Sequence, residues 1–332
     1  MKRHTIVCLT ALAAALAFGV GSLLCGSVDI PAGEVWAALF GDGASKFTWQ
    51  NIIVELRLPM VVTAALGGMS LAVAGLLMQT AFDNPLAGPS IMGVTTGASL
   101  GVAVAVMVVG TASLGALAGA VIGALAIIAL LIGLSLIVRS TLMLLIVGIM
   151  VGYLSSSAIS LINYFATSES IQAYVYWGLG TFGNVSREEL WLFSGVCLVF
   201  TALAMLLVKP LNALLLGERY ASNLGVDVRR ARTLMLVCAG ALTAAVTAWC
   251  GPISFLGLAV PHVARMCINS SDHRRLLPAT AIIGCSSGLL TLWLSVLPSS
   301  TGSIPVNAIT PLLGVPVIIY IILFRRRLNY FN

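Results

Sequence analysis

The chain has 332 residues, of which 59% are hydrophobic and 8% are charged, with a formal net charge of +6 at pH 7. This composition and a mean hydropathy of +1.06 exclude a soluble globular domain. A helix needs about 20 apolar residues to cross a bilayer, so the chain has room for about ten spans with short connections.

Apolar runs between charges and turn residues predict an all-α membrane protein that forms a single transmembrane domain over residues 1–332. The first run is longer than the core of a signal peptide and is followed by many more runs, so we interpret it as an uncleaved span. The predicted spans are 5–26, 58–81, 91–110, 113–138, 141–164, 190–208, 232–251, 255–268, 276–297 and 306–324.

The charges predict the orientation of these spans. With a cytoplasmic N-terminus, ten crossings return the C-terminus to the cytoplasm, and every Lys and Arg except Lys46, Arg57 and Arg187 then falls on the inner side. This is the asymmetry of the positive-inside rule. The positive charge therefore indicates topology in the bacterial inner membrane, and we expect no nucleic-acid partner.

Motifs for chemistry are missing from the sequence. It has no phosphate-binding loop, zinc motif or nucleophile elbow, so we expect no catalytic residue, no metal site and no cofactor in this chain. No Asp, Glu, Lys or Arg lies near the middle of a predicted span, which disfavours the alternative of an ATP-independent secondary transporter. His262 is expected to be a packed, hydrogen-bonded residue.

Two stretches interrupt the apolar pattern. Pro85 and Pro89 break the segment between the second and third spans, and 251–275 follows the seventh span in the same way. The first is either a tight turn or irregular backbone that lines the route or supports the inner gate. Their recurrence on opposite sides of the membrane suggests an inverted repeat, with halves at about 1–165 and about 190–325.

A third stretch, the coupling segment 211–232, is a polar cytoplasmic loop. Its helical rhythm places Leu214, Ala221 and Leu224 toward one side. It is either an interfacial helix held to lipid headgroups by the basic cluster of Arg229, Arg230 and Arg232, or a helix that docks into a cytoplasmic partner.

Six blocks together resemble the FecCD family, the permease subunits of type II ATP-binding-cassette importers for iron-siderophores, haem and cobalamin. In chain order they are RLPM at 57–60, LAVAGLLMQTAFDNPLAGPSIMGVTTGASLG at 71–101, LGERYASNLGV at 216–226, GPISFLGLAVPHVARM at 251–266, SDHRRLLP at 271–278 and PVNAITPLLGVPVIIYIIL at 305–323. The resemblance implies ten helices per subunit and a homodimer. It also implies two ATPase subunits that hold ATP and magnesium, and a periplasmic binding protein.

The resemblance also implies residue roles. Ser140 and Thr141 match an inner gate, and Arg57 matches an arginine that docks the binding protein, although Met60 and Val296 replace two further basic docking residues. The loop 212–227 matches the helix pair that enters a cleft of the ATPase. The matching residues are Leu216, Gly217, Glu218, Ala221, Leu224 and Gly225.

The expected mechanism is alternating access driven by the partner ATPase, through a large and mostly apolar cavity. Candidate pathway residues lie on the second, fifth and tenth spans. They are Met78, Gln79, Asn163 and Asn307. Because the docking positions differ from those of the cobalamin importer, ferric chelates and haem rank above cobalamin as the expected solute.

Overall fold

The computed structural model describes residues 3–41, 43–111, 113–138, 141–297 and 303–324. The regular secondary structure in these residues is helical, with no strand among them. Two short π-helical segments are Ile52–Arg57, which joins the helices Phe47–Asn51 and Leu58–Ala81, and Val104–Val108, which extends the helix Val94–Ala103. The helices are α1 Arg3–Leu24, α2 Ala32–Phe40, α3 Phe47–Asn51, α4 Leu58–Ala81, α5 Val94–Ala103, α6 Ser113–Ile137, α7 Thr141–Phe165, α8 Ser168–Gly178, α9 Arg187–Leu206, α10 Val208–Leu214, α11 Glu218–Asn223, α12 Val228–Cys250, α13 Leu256–Ile268, α14 His273–Val296 and α15 Val306–Phe324.

Ten helices coincide with the ten predicted spans. Within the described residues, seven are long and apolar enough to cross a membrane, and three shorter apolar helices, α5 with its π-helical extension, α13 and α15, complete the set. The prediction of an all-α membrane protein is confirmed.

Helices α2 and α8 were missed and assigned to loops, as was α3 with the π-helical segment that joins it to α4. Helix α2 buries Val35 against Ile30 and Ile53 at the outer end of α1, and α8 follows α7 after an N-cap at Thr167. Both are too short to give a span signal, because they have nine and eleven residues and a span needs about 20 apolar ones.

Helix α4 is the centre of the subunit and packs against α9, α12, α13 and α14. Its close contacts depend on glycine, because a Cβ at Gly68 would overlap the carbonyl oxygen of Gly284 and one at Gly75 would overlap that of Gly257. In lipid, where no water drives helices together, such small residues allow the backbone contact that holds a bundle.

The two halves have matching packing partners. Helix α4 packs against α13 and α14, and its counterpart α12 packs against α5 and α6; similarly, α5 contacts α7 and α13 contacts α15. This correspondence is the one an inverted repeat produces. The half boundaries at 1–165 and 190–325 stay a prediction.

Helix ends meet on two opposite faces. On one, which we name the coupling face, Arg3 Nε donates to Cys267 O at 2.7 Å, near the end of α4 and the start of α12. On the other, the outer face, the beginning of α4 meets the end of α1, and Arg187 forms a 2.6 Å ion pair with Glu55. This sorting of helix ends agrees with the alternating spans.

Candidate functional site

The coupling segment forms two short helices where the sequence rhythm alone suggested one. Helices α10 and α11 are separated at Gly217, with φ +94°, and the second is closed by Gly225, with φ +82°. Glycine adopts this left-handed backbone region without the steric cost of a Cβ. The two glycines therefore set the angle at which α11 enters and leaves the coupling face.

Helix α11 and the residues that flank it present apolar side chains outward. Leu216, Tyr220 and Leu224 are 61%, 67% and 66% exposed, while Ala221 is fully buried against the subunit. Exposed apolar residues on an otherwise polar loop mark an interaction surface. The segment therefore has one side fixed to the bundle and one side available to a partner.

Arg232, at the start of α12, joins this segment to α4. Its guanidinium pairs through Nη2 with the Glu218 carboxylate and donates through Nε to Ala81 O at 3.2 Å, and the residue is 9% exposed. The proposal that Arg232 binds lipid headgroups is therefore wrong. Arg230, by contrast, is exposed and forms a 3.0 Å ion pair with Asp227.

Helix α10 has a second connection to α4. The Asn212 amide donates to Asp272 Oδ1 at 2.7 Å, and its Oδ1 accepts from the His273 backbone N–H at 2.8 Å. The His273 ring then contacts Thr80 Oγ1 through Nε2 at 3.1 Å. Thus α10 reaches Thr80 and α11 reaches Ala81, two consecutive residues of the last turn of α4.

Asp272 caps α14 by accepting from Arg274 N at 3.0 Å. Burial by itself would raise the pKa of Asp272, but the hydrogen bonds from Arg274 N and Asn212, with the charges of Arg274 and Arg275, lower it below its usual value. The carboxylate is therefore ionised in the folded state wherever it would be ionised in the unfolded chain.

The segment 82–93 after α4 is irregular backbone made mostly of turns, and its role in lining a route stays a prediction. Asp83 has φ +46°, and Asn84 Oδ1 accepts from Leu86 N at 2.8 Å. His262 Nε2 donates to Pro85 O at 2.7 Å, which ties this segment to α13 and makes His262 the packed residue that was predicted. Partial burial and the nearby Glu218 raise the pKa of Asp83.

The structure describes one of the two predicted gate residues. Ser140 is outside the described residues, and Thr141 is the first residue of α7. Their role as a gate stays a prediction.

Arg57 does not have the docking geometry that was predicted. It is 6% exposed, and its guanidinium donates to the carbonyls of Leu23 at 2.7 Å, Leu24 at 3.1 Å and Val28 at 2.6 Å. These carbonyls lie at and just beyond the end of α1, where intrahelical donors run out. The expectation is corrected: Arg57 is turned inward and holds α1 to α4.

The three expected docking positions nevertheless come together. Arg57, Met60 and Val296 line one outer-face cavity of about 210 Å³, which also includes Cys25 and Leu292. The donors of Arg57 already have backbone partners. The cavity therefore offers shape and apolar surface to a docking protein, with its positive charge already bound to backbone carbonyls.

The pathway candidates divide into two groups. Met78 and Gln79 are each 1% exposed inside the bundle, and Gln79 Nε2 donates to Leu258 O at 3.3 Å, so neither faces an opening in this conformation. Asn307 lies near the outer face and accepts from Ser254 N at 3.3 Å. Asn163, near the end of α7, has a buried Oδ1 without a hydrogen-bond partner among the described residues. The last two stay pathway predictions.

Sequence reasoning missed the contacts that unite this site. Arg232 with Ala81 and His273 with Thr80 connect positions far apart in the chain. Neither pair has a local sequence signature. The visible signals were the basic cluster at 229–232 and the Asp-His pair at 272–273.

Known proteins resemble this chain over nearly its whole length. The FecCD transport family model matches residues 13–324. A protein of Klebsiella pneumoniae, vitamin B12 import system permease protein BtuC, is 35% identical over 92% of this chain and 89% of its own length. A protein of Citrobacter koseri with the same name is 33% identical over 98% and 97%.

A solved structure agrees with the fold. It is described as an inward-facing conformation of a metal-chelate type ABC transporter, is 28% identical, covers 97% of this chain and 99% of its own, and gives a TM-score of 0.83. The chain is a multi-pass protein of the bacterial inner membrane and a non-enzymatic translocation subunit, because permeases of this kind leave ATP hydrolysis to a separate subunit. The protein whose sequence and structure are described above belongs to the FecCD transport family.

Proposed function

We propose that this chain is the permease subunit of an importer that carries a corrinoid of the cobalamin class into the cytoplasm. Two copies form the pathway, a binding protein delivers the solute to the outer face, and two ATPase subunits bind the coupling face. Both termini are cytoplasmic, and the ATP and magnesium belong to the ATPase.

One observation carries the assignment of the coupling face. Leu216, Tyr220 and Leu224 are exposed beside the fully buried Ala221, on a segment that is otherwise polar. The lipid alternative places Arg229, Arg230 and Arg232 on one surface, but Arg232 is turned inward to Glu218 and Ala81, and only the other two are exposed. Together with the exposed Leu216, Tyr220 and Leu224, this favours a protein partner over lipid headgroups.

The substrate class comes from the relatives. The named permeases from Klebsiella pneumoniae and Citrobacter koseri are vitamin B12 import proteins. Their identity to this chain favours cobalamin and reverses the ranking that the docking positions suggested. Ferric siderophores and haem are the competing chelates.

The outer face favours docking by shape. Arg57 has buried donors, and Met60 and Val296 add apolar surface to the same cavity. Exposed ion pairs contribute only about 0–1 kcal/mol, so a complex without them loses little affinity. The Arg187–Glu55 pair is the exposed charge contact described at this face.

Solute release to the cytoplasm is proposed at the start of α7, on the opposite side of the membrane from the outer face. Opposed small hydroxyl side chains of Ser140 and Thr141, one pair from each copy, would close a narrow pore and separate when the subunits rock. Thr141→Trp should then slow uptake without changing binding-protein affinity. An unchanged uptake rate would remove Thr141 from the gate.

The function is tested by co-purification and uptake. The tagged chain is isolated from its native membrane in mild detergent, and co-purifying proteins are identified by mass spectrometry. The complex and its binding protein are then reconstituted into liposomes, and ATP-dependent uptake is measured separately for cyanocobalamin, a ferric siderophore and haem.

We expect an ATPase subunit to co-purify at one per permease. Of the three solutes, we expect only cyanocobalamin to be taken up, and its uptake should require ATP. Leu224→Asp should abolish ATPase recovery, whereas the control Ser222→Asp, on the same exposed segment, should preserve it. Uptake of another chelate would overturn the substrate class. Solute movement by the permease alone, without ATP, would overturn the importer.

A further inference from the structure

Both helices of the coupling segment converge on the last turn of α4. From α11, Glu218 pairs with Arg232, which donates to Ala81 O at 3.2 Å. From α10, Asn212 holds His273, whose ring contacts Thr80 at 3.1 Å. Each of the two helices α10 and α11 is therefore joined to α4 by side-chain hydrogen bonds, in addition to its covalent connection along the chain.

We propose that Arg232 is a positioning residue for transport, which holds Glu218 of α11 and the carbonyl end of α4 together so that ATPase-driven movement of α11 displaces α4. This inference rests on the proposed function, since it requires an ATPase at the coupling face. It assigns a transmission point inside the subunit, in addition to the surface that binds the partner.

The guanidinium is suited to this position. It uses Nε for the carbonyl of Ala81 and Nη2 for the carboxylate of Glu218, so one rigid planar group fixes the distance between two elements. Both acceptors are negative, because the end of a helix carries partial negative charge on its free carbonyls. A lysine at this position would place a single compact ammonium charge there, without the fixed planar set of N–H donors that contacts both acceptors.

Burial strengthens the connection. The Arg232 side chain is 11% exposed, while that of Glu218 is 50% exposed. The inner contact with Ala81 is therefore shielded from water, and the outer contact lies at the partner's side. A movement of α11 is therefore passed to Arg232 through the Glu218 carboxylate.

Helix α4 is able to pass such a movement onward. Its contacts with α13 and α14 at Gly75 and Gly68 are backbone to backbone, so it moves together with these helices. The irregular segment that begins at Phe82 is held in turn by His262 of α13, which donates to Pro85 O. Displacement of the α4 end therefore changes the position of the segment leading to α5.

The test compares Arg232→Lys with the matched control Arg230→Lys. Arg230 lies two residues earlier on α12, is exposed, and pairs with Asp227. Both variants are reconstituted as the full complex of permease, ATPase and binding protein. Three quantities are measured: ATPase recovery, the rate of ATP hydrolysis, and cyanocobalamin imported per ATP hydrolysed.

A second readout does not depend on the solute. Spin labels on exposed Ser222 of α11 and Leu86 of the segment after α4 report their separation without nucleotide and with ATP, in a chain whose native cysteines are replaced. If Arg232 links the two elements, the separation stays constant in the parent and in Arg230→Lys. It changes on ATP binding in Arg232→Lys.

We expect Arg232→Lys to recover the ATPase and to hydrolyse ATP at the parental rate, while import per ATP falls by about 5- to 150-fold, the usual range of a coupling free energy. A purely structural role would lower assembly and hydrolysis together. Equal import per ATP in the two lysine variants, or a label separation that is the same in both, would overturn the proposal.

Two further outcomes are separable. If Arg232→Lys does not accumulate, Glu218→Gln replaces it, because this variant removes the charge of a half-exposed side chain and leaves Arg232 bound to Ala81. It should show the same loss of import per ATP. A parental value of import per ATP in Glu218→Gln would refute the link. If the unsubstituted chain recovers no ATPase, the proposed function itself fails.

Discussion

Arg57 and Arg232 both donate to backbone carbonyls at the ends of helices. Arg57 serves the end of α1 on the outer face and Arg232 serves the end of α4 on the coupling face. The last carbonyls of a helix lack intrahelical donors, and lipid supplies none. A buried guanidinium satisfies several of them at once, which explains why these arginines turn inward although charge sorting alone placed them at the surface.

Replacing Arg57 with Met tests this role. The variant keeps an apolar stem and removes the donors to Leu23, Leu24 and Val28, so it should lose about 1–3 kcal/mol of stability through unsatisfied buried carbonyls. Arg187→Met, which breaks an exposed ion pair, should lose less than about 1 kcal/mol. The measurement is thermal unfolding in detergent.

The docking alternative gives the opposite pattern. If Arg57→Met keeps its thermal stability and weakens binding-protein affinity, Arg57 faces the binding protein and the structural role is refuted. The Arg187→Met variant shows how much affinity an exposed charge on the same face contributes.

At the scale of elements, caps and glycines set where helices begin and how closely they pack. Asp227 and Asp272 cap α12 and α14, and Ser186 with Glu189 forms a capping box on α9. These side chains satisfy N–H groups that have no intrahelical partner. They fix the ends of the helices, while glycine fixes the distances between them.

The cap at Asp272 predicts a pH dependence. Its pKa is lowered in the folded protein by hydrogen bonds from Arg274 N and Asn212 and by two arginine charges, so its stabilising effect is present above the unfolded value of about 3.9. It is lost as pH falls through the lower folded value. Asp272→Ala should therefore cost about 1 kcal/mol at neutral pH.

This cost should begin to fall as the pH drops below about 4, and it should disappear only when the pH is below the lowered pKa of Asp272 in the folded protein. Thermal unfolding of the parent and of Asp272→Ala across the pH range gives the difference directly. A difference that persists unchanged in acid would show that the carboxylate charge does not support the cap.

The crossing of α4 and α13 predicts a large effect from a single methyl group. Gly75→Ala places its Cβ on the carbonyl oxygen of Gly257, so the helices must separate, and overpacking of this kind costs about 1–3 kcal/mol. Gly133→Ala on α6 meets nothing within 4 Å and should be neutral or stabilising by up to about 1 kcal/mol.

Yield and thermal stability in mild detergent distinguish the two glycine variants. Equal stability of Gly75→Ala and Gly133→Ala would mean that α4 and α13 are farther apart than the structure places them.

At the scale of the whole molecule, the helix ends sort into an outer face and a coupling face. Arg3 reaches α13 on one, and Arg57 reaches α1 on the other. The structure fixes which ends lie together, and the charge distribution predicts which face is cytoplasmic. These are independent observations, and together they predict the orientation that the transport proposal requires.

Reporter fusions test this orientation. A fluorescent protein that matures in the cytoplasm should be active when fused after Asn332, and an alkaline phosphatase should be active when inserted after Ser45, between α2 and α3. Phosphatase activity at the C-terminal fusion would invert the topology. A parallel fusion after Asn223 provides the control on the coupling face.

The sequence by itself determined the ten spans, because a helix in lipid must satisfy its own backbone and so requires a continuous apolar run. Leu58–Ala81 and Leu256–Ile268 show how close this prediction comes to the observed bounds. The irregular segment 82–93 was also predictable from Pro85 and Pro89, which cannot continue a helix. Short amphipathic helices such as α8 lack this signal and were missed.

Only the tertiary structure decided where the charged and polar side chains point. Arg57, Arg232, Met78 and Gln79 all have inward positions that composition and periodicity did not indicate. Their partners are backbone carbonyls or side chains on other helices, and long-range contacts of this kind depend on how the bundle closes. Whether an arginine faces solvent, lipid or a helix end is therefore set by packing, because the unsatisfied carbonyl that attracts it exists only in the folded protein.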